Sequence, residues 1–209
     1  MAPQALHSER DGYLTQLDSW SSAFLPVLNR LRQTASNLKE ITGALLLHMY
    51  AISARIAILG TLITEECTYD LFLPEFQKIV ALAWEVSQNL LQLTTNRAAY
   101  HFHLSIVPPV FGTLLRCRDF GLGREALAVL RMKHRDGPWD RYMLAGIASW
   151  IVDVEEEGRL DSGYIPEHNR FRLTRLSIGP RAALVQCVKR SIPLGTGTRF
   201  TWRETTICR

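Results

Sequence analysis

The chain has 209 residues, enough for one domain with a substantial core. Hydrophobic residues make up 47% and charged residues 21%, as in an ordinary soluble globular protein. Four isolated cysteines (Cys67, Cys117, Cys187 and Cys208), with no Cys-x-x-Cys among them, argue against a zinc finger or dithiol redox centre and for a reduced, intracellular protein.

The net charge of +4 is unevenly placed. Residues 159–209 carry ten Lys/Arg against three acids, whereas residues 1–158 carry 14 against 17. A basic tail on a slightly acidic body suits either a solvated surface or contact with an acidic partner. It holds no compact Lys/Arg block of the nuclear-import kind. The N-terminal sequence shows no secretory signal, and the start at Met1 favours a separate short chain.

Residues 1–10 read as a flexible terminus. From Asp11 to about Thr34 the apolar residues recur in steps of three and four, which predicts an amphipathic helix with a kink or break at Pro26. Ile41–Ile63 is apolar on most faces. Thr42, His48, Ser53 and Arg55 within it favour a buried central helix over a membrane span. Thr64-Glu65-Glu66-Cys67 reads as a cap and first turn, followed by a helix over Tyr69–Leu93 with Pro74 near its start. Residues 98–106 alternate ambiguously. His101-Gly158 then reads as three helices. The first runs over 107–118 and opens on Val107-Pro108-Pro109. After Gly121 and Gly123 break the chain, a second spans Arg124–Lys133. The third is capped by Asp136, holds Pro138 in its first turn and Asp140 near its positive end, and runs to Glu157 with Gly158 as its stop.

Beyond Gly158 the texture changes. Phe171–Ile178 alternates apolar and polar residues, and Ala183–Lys189 is rich in Leu and Val. Gly179-Pro180-Arg181 lies between them as in a β-hairpin, and Thr198–Trp202 adds a third strand. The fold class is therefore mainly α: an array of antiparallel helices with a small C-terminal β-hairpin or three-stranded element. It divides into the terminus 1–10, a helical domain 11–158, and a basic segment 159–209 whose strands pack on the helices.

Several blocks in this order resemble the C-terminal half of the fungal-specific transcription factor domain of zinc binuclear-cluster regulators. They are Val107-Pro108-Pro109, Arg116-Cys117-Arg118-Asp119, Arg124-Glu125-Ala126-Leu127 with Leu130, Gly137-Pro138-Trp139-Asp140, and Trp150-Ile151 with Glu155-Glu156-Glu157-Gly158. The six-cysteine zinc cluster of such regulators has no counterpart in this sequence. The resemblance implies a regulatory or interaction domain controlling a fungal metabolic gene cluster, located in the nucleus or alternatively the cytoplasm. Its partners would be other proteins or a second copy, with a small-molecule effector. No cofactor, membrane contact or sequence-specific DNA binding is expected of it. The alternative is a small-molecule-binding protein or a cyclase- or isomerase-like enzyme of secondary metabolism derived from that domain.

No catalytic residues, phosphate loop or nucleophile elbow can be assigned, and the chain leans away from being an enzyme. His101-x-His103 lacks a third ligand at a defined spacing, so no metal site is assigned. Candidate pocket residues are Tyr100, His101, His103 and Arg116. Arg116, Arg118 and Asp119 are expected to pair internally, with Cys117 inert between them. His48 reads as a core histidine, and the five tryptophans as packing residues. Glu155, Glu156 and Glu157 sit at the electrostatically unfavourable end of a helix, which points to a nearby basic group such as the tail.

Overall fold

The computed structural model describes residues 3–34, 37–93, 104–132, 140–191 and 199–208. Six α-helices and a three-stranded antiparallel sheet are formed among them: α1 (Pro3–Gln33), α2 (Leu38–Gly60), α3 (Leu73–Leu93), α4 (Val107–Leu114), α5 (Phe120–Arg131), α6 (Arg141–Glu156), β1 (Arg172–Ile178), β2 (Ala182–Ser191) and β3 (Arg199–Cys208). Consecutive helices pack on one another from α1 to α6, and the sheet lies against α6. The mainly helical class with a small C-terminal sheet is as the sequence indicates.

α1 differs from expectation at both its start and its middle. It takes in residues 3–10 and runs through Pro26 unbroken. Leu6, Arg10 and Tyr13 of its first turns line a groove with Ile58, Thr61 and Leu62 at the α2 end. Arg55 pairs with Asp18, and Arg32 with Glu85 at 2.6 Å, fixing α1 to α2 and α3. Near Pro26 the helix is held by burial of Leu28 and partial burial of Phe24 and Leu31. That burial offsets the hydrogen bond which proline cannot make.

α2 is long and apolar enough to span a membrane. In the fold it is packed between α1 and α3 and buries Leu45, Met49 and Ile56. His48 is buried, and burial followed by the charges of Lys78 and Arg32 lowers its pKa. Between α2 and α3 lies a 3-10 segment, Glu66–Phe72, where a helix from Tyr69 was expected. Its cap also comes from elsewhere. The Glu167 carboxylate accepts from the backbone N–H of Glu66 (2.9 Å) and Cys67 (2.7 Å), roles that Thr64 does not fill. α3 then places Pro74 at its second residue and buries Phe76, Ile79, Val80, Ala83 and Val86, one face of a 3.6-residue period.

α4 opens on Pro108 and Pro109, with the buried Ser105 Oγ accepting from Val107 N at 3.0 Å. Gly121 and Gly123 do not break the chain; both lie inside α5. Asp119 explains this, because its side chain accepts from Leu122 N at 2.8 Å and starts the helix four residues early. Two glycines cost about 1 kcal/mol each in a helix. Burial of Leu122, Ala126, Val129 and Leu130 outweighs that. α6 is capped by Asp140, which accepts from Met143 N at 3.0 Å. The expected cap Asp136 lies outside the described residues. Arg141, in the first turn of α6, donates to Val129 O at 2.7 Å and so closes the open carbonyl end of α5.

The strand order is β1-β2-β3. Ala183, Val185 and Cys187 of β2 are buried, and they pair in register with Ile178, Leu176 and Leu173 of β1. β3 extends to Cys208, well past the expected Trp202. Its Ile207 packs on the core, where Gly146 of α6 leaves 3.0 Å between an added Cβ and Ile207 Cγ2. Tryptophan packing holds in part. Trp84 and Trp150 pack against the core, whereas Trp20 stacks on Phe24 at the surface and Trp202 is exposed.

Candidate functional site

The residues flagged in the sequence separate into two groups. Tyr100, His101 and His103 lie outside the described residues. Arg116 stands at the mouth of a cleft of about 340 Å³. The wall of that cleft comes from the last turns of α2 (Ser53, Ile56, Ala57, Gly60 and Thr61), Tyr69 of the 3-10 segment, Phe76 and Ile79 of α3, and Gly112, Thr113 and Arg116 at the end of α4.

The cleft exists because small residues meet there. Gly112 has no atom within 4 Å of where a Cβ would stand. At Gly60 a Cβ would fall 2.6 Å from the Tyr69 hydroxyl, so glycine is what lets the tyrosine lie flat against α2. The buried Tyr69 ring in turn carries the Arg116 guanidinium, 4.4 Å from its centroid. Arg116 is half-buried and forms no ion pair among the described residues. Internal pairing was expected of it, and the structure gives it a ring instead. Thr61 and Thr113 donate to Ile58 O (2.7 Å) and Pro109 O (3.0 Å), the usual back-bonding of hydroxyls within a helix.

On the other side of Tyr69 and Phe76 lies a second, smaller cleft of about 180 Å³, lined by Asp70, Cys117, Arg118 and Arg170 among others. Its charges are already committed. Arg170 is almost wholly buried and forms a bidentate pair with Asp70 at 2.7 and 2.6 Å. It also donates to Ile165 O (2.7 Å) and Glu66 O (3.2 Å). Burial pushes the Cys117 thiol up to about 11, which disfavours the reactive thiolate at neutral pH. Burial likewise lifts Cys187 to about 12. Among the described residues no cluster of His, Cys, Asp and Glu has the grouping a metal ion needs.

Beneath the clefts is a knot of buried charge. Arg118 pairs with Glu155 at 2.6 Å and lies 3.6 Å from Glu66, all three side chains at least 95% buried. Arg118 also donates to Leu115 O (2.9 Å) and Phe171 O (3.0 Å), while Glu155 accepts from Phe171 N at 2.6 Å. The second oxygen of Glu66 takes Arg172 at 2.8 Å. Burial raises the Glu155 pKa, and Arg118 and the Phe171 amide pull it back towards the charged form. Burial also pushes Glu167 up, but the two amides of Cys67 and Glu66 outweigh it and hold its carboxyl below the usual range.

The acidic triplet therefore divides. Glu155 turns inward to Arg118, Glu156 pairs with Arg159, and Glu157 lies 3.7 Å from Arg203 with both groups exposed. The basic tail does supply partners, in Arg159 and Arg203, though the strongest pairing is with α4's neighbour Arg118. α6 ends at Glu156, two residues before Gly158, and close packing calls for the glycine at 158. A Cβ there would stand 2.3 Å from Asn169, whose Nδ2 donates to Gly158 O at 3.0 Å.

No family model, curated protein or solved structure matches this chain.

Proposed function

We propose that the chain is a regulatory domain of the fungal transcription-regulator type, acting through association with other proteins or a second copy. The observation that carries this reading is where the resembling blocks fall. Arg118 of the Arg-Cys-Arg-Asp block and Glu155 of the Glu-Glu-Glu-Gly block form the buried pair that ties helices to sheet. Asp119 caps α5, Asp140 caps α6, and Pro108 and Pro109 open α4. Each of these residues serves architecture. That is what a scaffold inherited from a gene-control protein needs, and what an active site does not. The reading places the chain in the nucleus, in control of a metabolic gene cluster. The direct test fuses the whole chain to an unrelated DNA-binding domain upstream of a reporter gene in yeast. The expected result is a change in reporter output relative to the DNA-binding domain alone. Unchanged output from a soluble, well-expressed fusion would remove the reading.

A second reading, as a small-molecule-binding protein, is favoured by one observation: the open cleft over which Arg116 stands without a carboxylate partner among the described residues.

A further inference from the structure

We propose that the cleft under Arg116 binds a small organic monoanion with an apolar or aromatic body, of the carboxylate class. The inference rests on the second, ligand-binding reading and deepens it. Its starting point is the composition of the wall. Ile56, Ala57, Phe76 and Ile79 make an apolar floor, and among the described lining residues Arg116 is the sole charged side chain. A volume of about 340 Å³ lies within the range of about 300–1,000 Å³ usual for small-molecule sites.

The chemistry at the mouth selects the sign of the ligand's charge. Guanidinium is always protonated and offers a planar fork of donors that matches a carboxylate. Here the guanidinium carbon lies 4.4 Å from the centroid of the Tyr69 ring, a cation–π contact that holds the group at the cleft and uses none of its N–H donors on a carboxylate. No acidic residue lines the cleft to compete for it. This distinguishes Arg116 from its neighbours Arg118 and Arg170, which are paired with Glu155 and Asp70. Ser53 and Tyr69, two hydroxyl-bearing residues, line the same wall. A cationic ligand would meet an unopposed positive charge, and a neutral apolar one would leave the guanidinium desolvated and unpaired.

The volume and apolar floor of the cleft set the body of the ligand. The opening left by Gly112 is free of contacts to 4 Å, so a side chain built there enters the space the ligand is to occupy. Gly112 therefore supplies a test that does not touch the charge.

The test is isothermal titration of the purified full chain with 2-naphthoate and with its neutral isostere 2-naphthamide. The expected result is that the carboxylate binds about ten-fold or more tightly than the amide, the difference one charge-assisted hydrogen-bonded pair supplies. Arg116→Gln should abolish that preference while leaving amide binding in place. Gly112→Leu should remove binding of both. Arg116→Gln lies at a half-buried surface position and keeps the fold, so the result does not depend on whether Gly112→Leu is tolerated. Equal binding of carboxylate and amide to the native chain overturns the anion class and leaves the ligand-binding reading standing. So does a preference that survives Arg116→Gln. Absence of binding by both compounds overturns the site and that reading together. None of these outcomes depends on the reporter result.

Discussion

Arg118→Met is expected to lower unfolding free energy by about 3–5 kcal/mol, the loss found when one partner of a fully buried ion pair is removed. Methionine fills much of the space of the arginine stem, so the cost is electrostatic. Glu155 and Glu66 are left facing each other, each about 5% exposed, without the cation between them. Two carbonyls, Leu115 O and Phe171 O, lose their donor as well. The measurement is a urea melt of the two proteins followed by circular dichroism. A companion variant separates charge from geometry. Glu155→Gln keeps an acceptor for Phe171 N, so it should be milder than Glu155→Leu, which leaves that buried amide unpaired at about 1–3 kcal/mol further cost. Equal effects of Gln and Leu would show that the Phe171 bond contributes nothing.

Arg170→Leu is the second large effect, expected at about 2–4 kcal/mol in the same melt. Its size is set by backbone and not by the visible salt bridge. Asp70 is 40% exposed and regains water when the arginine goes, so its lost partner adds little to the cost of Arg170→Leu. Ile165 O and Glu66 O are buried under the guanidinium and have no such recourse. Asp70→Asn takes the counter-charge from a buried cation but leaves both carbonyls bonded, so it should cost less than Arg170→Leu. A loss from Asp70→Asn as large as that from Arg170→Leu would place the energy in the ion pair instead.

Part of this was legible in the chain. Helix spacing gave α2, α3 and the buried faces of α5 and α6, because periodic apolar residues dictate which face is removed from water. The alternation after Phe171 gave the sheet. Glu155 carried a readable signal. Leu144, Ala148, Ile151 and Glu155 follow one another in steps of four, three and four, so Glu155 sits on the buried face and calls for a buried cation. Arg116 came to notice through the blocks around it, and the cleft beneath it did not. A cavity depends on Gly60 and Gly112 lining it from two different helices, and no local pattern encodes that. Tyr69, Glu167 and Arg170 were missed for a related reason. Their partners lie far off in the chain: Arg116 for Tyr69, and residues about a hundred positions away for Glu167 and Arg170, as in the bonds from Glu66 N and Cys67 N to Glu167. The two glycines of α5 misled because their helical cost was weighed without the capping Asp119.

The claim beneath all of this is that helices and sheet form one cooperative body locked at Glu155, a scaffold that holds the cleft open between α2 and α4. Native-state hydrogen exchange at the Phe171 amide, which donates to Glu155 at 2.6 Å, tests it most directly. The expected result is exchange of Phe171 and of the β2 amides only through global unfolding, at the same free energy as the cores of α3 and α6. Exchange of the sheet at a clearly lower free energy, while the helices stay protected, would contradict it.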